Sequence, residues 1–128
     1  MKGAISFLYS IKYMRDTAII VEGKKDKEVL TYLGIMNVYT IYELKKCENI
    51  YIDYKKAIIL TDNDKKGNKL YKYIRNLLES EGIIINDIYR KRFFNYFRVS
   101  EIENIRKYLE DLKFYINYFE NPENILNS

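Results

Sequence analysis

Apolar residues recur along this chain with two periods, and the switches between them predict its elements. Phe7, Leu8, Ile11 and Met14 fall three and four apart, the spacing of one helical face, which predicts an amphipathic helix over residues 4–15. Thr17 to Val21 (TAIIV) is then an unbroken β-branched run, too short for a helix and apolar on both faces, as strands of parallel sheets are. The period switches back at once. In EGKKDKEVLTYLG, Val29, Leu30 and Leu33 share a helical face, and Gly34 stands where a left-handed cap would close it. Asn37 to Thr40 predicts a short strand and Ile41 to Cys47 a short helix. A second strong strand, Ala57 to Thr61 (AIILT), leads through DNDKKG into a helix with Leu70, Ile74, Leu77 and Leu78 on one stripe, closed by Gly82. Ile83 to Ile85 supplies a further short strand.

Strands alternating with helices predict an α/β domain with a mainly parallel sheet of about four strands flanked by helices. Residues 17–90 form its expected core, within a single domain over residues 1–128. The last segment opens on Ser100 with Glu103 three residues on, the pattern of a capping box. Ile102, Ile105, Leu109, Leu112, Ile116 and Phe119 then recur at steps of three and four, predicting one long amphipathic helix over residues 100–120 that ends before Pro122. Its apolar stripe has two possible fates: packing against the domain's own sheet or first helix, or a seam for a protein partner or a second copy in a homodimer.

Composition removes most chemistries. With no histidine and one cysteine, the 128 residues cannot supply a His/Cys zinc site, a Ser-His-Asp triad, a Cys-His pair or an internal disulfide. Acid-base work must rest on carboxylates, Lys or Tyr. The lone Cys47 fits a reducing compartment and is assigned no role. In MKGAISFLYSIKYMRD, Lys12 and Arg15 break the apolar run and no small-residue cleavage pattern follows, so no signal peptide is expected there. No run approaches the roughly 18 apolar residues of a membrane span, and the expected location is cytoplasmic. A net charge of +4 permits an anionic partner without requiring one.

Both strong strands run straight into acid: Val21 into Glu22-Gly23-Lys24, and Thr61 into Asp62-Asn63-Asp64. In open α/β sheets ligands bind beyond the carboxyl ends of the strands, so neighbouring strands would bring Glu22, Asp62 and Asp64 together. Three carboxylates repel one another unless a cation lies between them, and hard oxygen donors suit Mg²⁺ or Mn²⁺. Gly23 is expected to permit a tight turn and Gly67 a close approach at the next helix. Lys24, Lys25, Lys65 and Lys66 rim the same turns, which outlines a phosphate-ester site. DNDKKG is not an EF-hand loop, because Tyr73 stands where the bidentate Glu belongs, nor a haloacid-dehalogenase motif, because Lys66 replaces its Thr. No GxxxxGK[ST] is present.

AIIVEGKKD followed 40 residues on by IILTDNDKKG resembles the two motifs of the Toprim domain of primases, topoisomerases, OLD-type nucleases and the 5S-ribosomal-RNA maturase, and in detail the small primase-like proteins of archaea. The resemblance implies a Rossmann-like fold in which Glu22 is the acid or base, or assists the metal, and Asp62 and Asp64 hold Mg²⁺. It also implies that Asp26 orients the first turn and that Lys24 contacts phosphate. Lys66 stands where topoisomerases carry Glu, which argues against that activity. The function so implied is Mg²⁺-dependent phosphodiester hydrolysis, with RNA preferred over DNA as substrate. A primase-like role, or a non-catalytic nucleic-acid-binding module, is the alternative.

The segment Tyr89-Arg90-Lys91-Arg92-Phe93-Phe94-Asn95-Tyr96-Phe97-Arg98 interleaves basic and aromatic residues. Such a mixture can follow phosphates, through Arg90 and Arg92, while stacking unpaired bases. It can equally be a connection whose rings fill the core.

Overall fold

The computed structural model describes residues 2–46 and 53–120. Helix α1 (Lys2–Lys12) leads into β1 (Thr17–Val21), α2 (Lys24–Tyr32), β2 (Val38–Thr40), α3 (Ile41–Lys46), β3 (Lys56–Ile59), α4 (Lys65–Ser80), β4 (Ile84–Ile85) and α5 (Ile88–Phe97). A 3-10 segment, Ile102–Tyr108, then runs into α6 (Leu109–Glu120). The four strands form one parallel sheet in the order β2-β1-β3-β4, with Ile19 opposite both Val38 and Ile58. This is a Rossmann-like α/β architecture.

Sheet residues divide strictly by parity, as the pleat requires. Ile19, Val21, Ile58 and Leu60 join α1, α2, α5, the 3-10 segment and α6 in one core. Ala18, Ile20, Ala57 and Ile59 face the other side, where Leu44 of α3 and Ile74 and Leu78 of α4 cover them. All five residues of β1 are buried, which is why its run needs no polar alternation. Gly34 and Gly82, at φ +92° and +84°, follow α2 and α4 in the left-handed region that only glycine enters freely.

Two sequence expectations are corrected. The interleaved segment is a helix, α5, whose Phe93 and Phe94 are buried against Phe7 and the sheet. Its end carries no glycine because Arg98 itself takes the left-handed conformation, at φ +53°. The C-terminal segment is not one helix from Ser100. Cap position falls to Glu101, which makes no side-chain cap bond, and the first seven residues wind as a 3-10 turn. The start of that turn is tied to the loop after β3, for the Ser100 carbonyl accepts the Asn63 N–H at 2.7 Å. Of the two fates open to the C-terminal segment's apolar stripe, packing within the chain is the one found, for Ile102, Ile105, Leu112 and Ile116 are buried in its own core. Cys47 and Pro122 lie outside the described residues. No helix among the described residues is long and apolar enough to cross a membrane.

Candidate functional site

From β1 the chain crosses to β2 on one side, then returns to β3 on the other. The strand order therefore reverses between β1 and β3, and the crevice beyond their carboxyl ends is where such sheets bind ligands. Glu22 follows β1 and Asp62 follows β3 at that point. The two meet: the Asp62 N–H donates to Glu22 Oε1 at 3.0 Å.

Each neighbouring carboxylate also accepts from main chain. Asp26, in the first turn of α2, takes the Gly23 N–H at 3.2 Å. Asp64 caps α4 through the Gly67 N–H at 2.7 Å, and Asp62 Oδ1 takes the Ile102 N–H at 3.2 Å. None of Glu22, Asp26, Asp62 and Asp64 has an ion-pair partner among the described residues. The consequence is electrostatic. Burial, with the charges of Glu22, Asp26 and Asp64 around it, pushes the Asp62 carboxyl up to about 7 even though the Ile102 N–H opposes this. Asp26 is pushed up by burial too, against the Gly23 N–H bond, with Glu22, Glu103 and Glu101 adding to the shift.

Gly67 is indispensable to this packing, for a Cβ there would lie 1.8 Å from the Asp62 carbonyl oxygen. Thr61 Oγ1 closes the same turn by donating to the Gly67 carbonyl at 2.8 Å. Gly23 differs from the expectation. Its φ of −141° is extended, and a Cβ would meet nothing within 4 Å, so no tight turn demands glycine there.

Arg90 reaches back from α5 and donates to the carbonyls of Thr61 (2.9 Å) and Asp62 (2.6 Å) and to Asn68 Oδ1 (2.7 Å). The guanidinium expected to contact phosphate thus holds the acidic loop, stacked 5.1 Å from the Tyr71 ring centroid. Lys91 and Arg92 are exposed and line a groove of about 950 Å³ with Arg90, Asn63 and Asn95. Lys24, Lys65 and Lys66 are exposed in the first turns of α2 and α4, as their sequence positions imply. A second groove, of about 810 Å³, opens beside Glu22, Gly23 and Lys24 and runs between α2 and α3.

No three Asp, Glu or Cys side chains among the described residues are disposed to hold a metal ion together. The donor set nonetheless fits Mg²⁺, which is commonly bound through one or two carboxylates, with waters and substrate oxygens completing its shell. Sequence reading missed the 3-10 segment's part in the site. Glu101, Glu103 and the Ile102 N–H all bear on the acids, and only the acidity of SEIENIR hinted at it.

No protein-family model matches the chain. It is 31% identical over 96 residues to a UPF0292 protein of Archaeoglobus fulgidus and 34% identical over 98 residues to one of Methanocaldococcus jannaschii, in each case covering 77% of the relative and 73% and 71% of this chain. A UPF0292 protein of Pyrococcus abyssi is 40% identical over 70 residues, 52% of this chain and 53% of that protein. A solved protein structure from Aquifex aeolicus superimposes with a TM-score of 0.67 at 27% identity, over 78% of this chain and 95% of that one. These findings overturn the Toprim assignment drawn from the two motifs, since no family model carries it and the relatives bear another family's name. The chain belongs to the UPF0292 family.

Proposed function

We propose that this chain hydrolyses phosphodiester bonds in nucleic acid with the help of a divalent cation. One observation carries the reading: at the point where the strand order reverses, Glu22 and Asp62 are held against each other, with Asp26 and Asp64 nearby and no ion-pair partner for any of the four among the described residues. Such a concentration of carboxylate calls for a counter-cation. Asp62 and Asp64 would hold Mg²⁺ or Mn²⁺ through the oxygens not bonded to Ile102 and Gly67. A bound cation would acidify a coordinated water and offset charge on the leaving oxygen. Glu22 takes the proton from the attacking water. Lys91 and Arg92 guide the strand's phosphates along their groove, while Arg90 keeps the acidic loop in place.

The test is incubation of end-labelled RNA and DNA, single-stranded and structured, with Mg²⁺, Mn²⁺ or EDTA, beside Glu22→Gln and Asp62→Asn. Cleavage that needs the cation and both carboxylates supports the proposal; equal cleavage by all three proteins removes it. A non-catalytic nucleic-acid-binding role is the second reading. It is favoured by the main-chain N–H bond that each carboxylate accepts, an arrangement that also suits a purely structural turn. Binding without cleavage would select it.

A further inference from the structure

Of the rings of α5, Phe93 and Phe94 are buried in the core, and Tyr96, 44% exposed, packs on Phe7 and does not line the Lys91 and Arg92 groove. If a strand lies at the acids, its bases must find aromatic surface elsewhere. The groove between α2 and α3 supplies it. Tyr32 stands on its α2 wall and Tyr42 on its α3 wall, 42% and 67% exposed, and Thr31 and Thr40 line it as well. Its other end is Glu22, Gly23 and the exposed Lys24, which has no ion-pair partner among the described residues.

We propose that this groove takes one unpaired nucleotide of a nucleic-acid strand, its base against Tyr42 and its phosphate toward Lys24. The inference rests on the hydrolytic reading and adds to it the form of the substrate. A volume of about 810 Å³ suits a nucleotide, as ligand pockets span roughly 300–1,000 Å³. Lys27 is bonded to both oxygens of Glu43 at 2.9 Å and Glu28 pairs with Arg106 at 3.7 Å, which offsets these two carboxylates of the lining and leaves Lys24 to meet the anion. Lys46 Nζ stands 4.6 Å over one face of the Tyr42 ring and leaves the other for a base, so recognition is tolerant of sequence and intolerant of pairing. A paired base, stacked within its duplex, cannot enter unless the duplex opens. The substrate is accordingly a single-stranded segment with its phosphates on the Lys91 and Arg92 side and one base turned into the α2–α3 groove.

The experiment titrates the full chain with adenosine monophosphate and with ribose 5-phosphate, by NMR, in wild type, Tyr42→Ala and Tyr42→Phe. The same three proteins are then given a labelled single strand and its duplex. Adenosine monophosphate should bind about tenfold more tightly than the base-free sugar phosphate, Tyr42→Ala should lose that advantage and Tyr42→Phe should keep it. Circular dichroism identical to wild type would show that Tyr42→Ala is folded. Equal binding of the two phosphates, or an unchanged Tyr42→Ala, overturns the proposal. The two readings fail separately. Tyr42-dependent nucleotide binding by a chain that cuts nothing retains the groove and removes hydrolysis. Cleavage that ignores Tyr42 and treats strand and duplex alike retains hydrolysis and removes the groove.

Discussion

Arg90 grips Asp62 by its carbonyl rather than its carboxylate, with Nη2 donating to the main-chain oxygen at 2.6 Å. The guanidinium therefore fixes the path of the loop without forming an ion pair with the acid that the loop presents.

Replacing it should separate loop position from charge. Arg90→Ala removes the donors to Thr61, Asp62 and Asn68, an expected loss of roughly 1–3 kcal/mol in urea denaturation. The Mg²⁺ concentration for half-maximal cleavage should rise as well. Arg90→Lys keeps the charge without the planar fork and should recover little of either. Wild-type stability and Mg²⁺ response in Arg90→Ala would end the positioning role.

Asp62 should make stability depend on pH. Its folded-state pKa, about 7 against an ordinary 3.8, means that the native chain holds a proton that the unfolded chain releases. The stability from that proton is complete below about pH 4 and is lost as the pH rises through about 7. Solvent reaches this half-buried carboxyl and screens the effect, so Asp62→Asn should gain about 1 kcal/mol at pH 8 in EDTA and nothing at pH 4. Thermal melts at the two pH values decide it, and a gain of equal size at both would refute the assignment.

Two glycines should answer differently to the same substitution. Gly67→Ala drives a methyl into the Asp62 carbonyl and should cost more than about 3 kcal/mol, or prevent folding. Gly23→Ala meets open space and should cost less than about 1 kcal/mol, from its poorer cap alone. Guanidinium midpoints of the pair are the measurement.

On α5, rings and charges should separate cleanly. Phe93→Ala empties a fully buried site and should lose about 3–5 kcal/mol. Lys91→Glu and Arg92→Glu lie on an exposed face and should change stability by less than about 0.5 kcal/mol. Their effect belongs in nucleic-acid binding, with a shallower dependence of affinity on salt. A salt dependence unchanged from wild type would take that face out of the interaction.

The two strong strands were legible because Thr17 to Val21 and Ala57 to Thr61 are buried on both faces and so carry no competing polar pattern. The acids were legible for a related reason, since Glu22 directly follows β1 and Asp62 lies three residues beyond the end of β3, so only the neighbouring of the two strands is needed to bring them together. Helix α5 was hidden because basic residues interrupt its apolar face and no glycine marks its end. Arg90's true partners were hidden as well: carbonyl oxygens of Thr61 and Asp62 leave no trace in side-chain identity. The 3-10 start of the last segment arises where Ser100 and Ile102 bond across to residues 63 and 62, a tertiary cause that overrides a capping pattern read from neighbours in sequence.

That last tie also sets an order of events during biosynthesis. All four strands lie before residue 86, so the sheet can pair while the C-terminal segment is still within the ribosome. The Asp62 carboxyl then lacks the Ile102 N–H, the bond that holds its pKa down. A nascent chain thus presents the acidic loop without this donor and without the core residues Ile102, Ile105, Leu112 and Ile116, and the site is completed only after translation has passed the last segment.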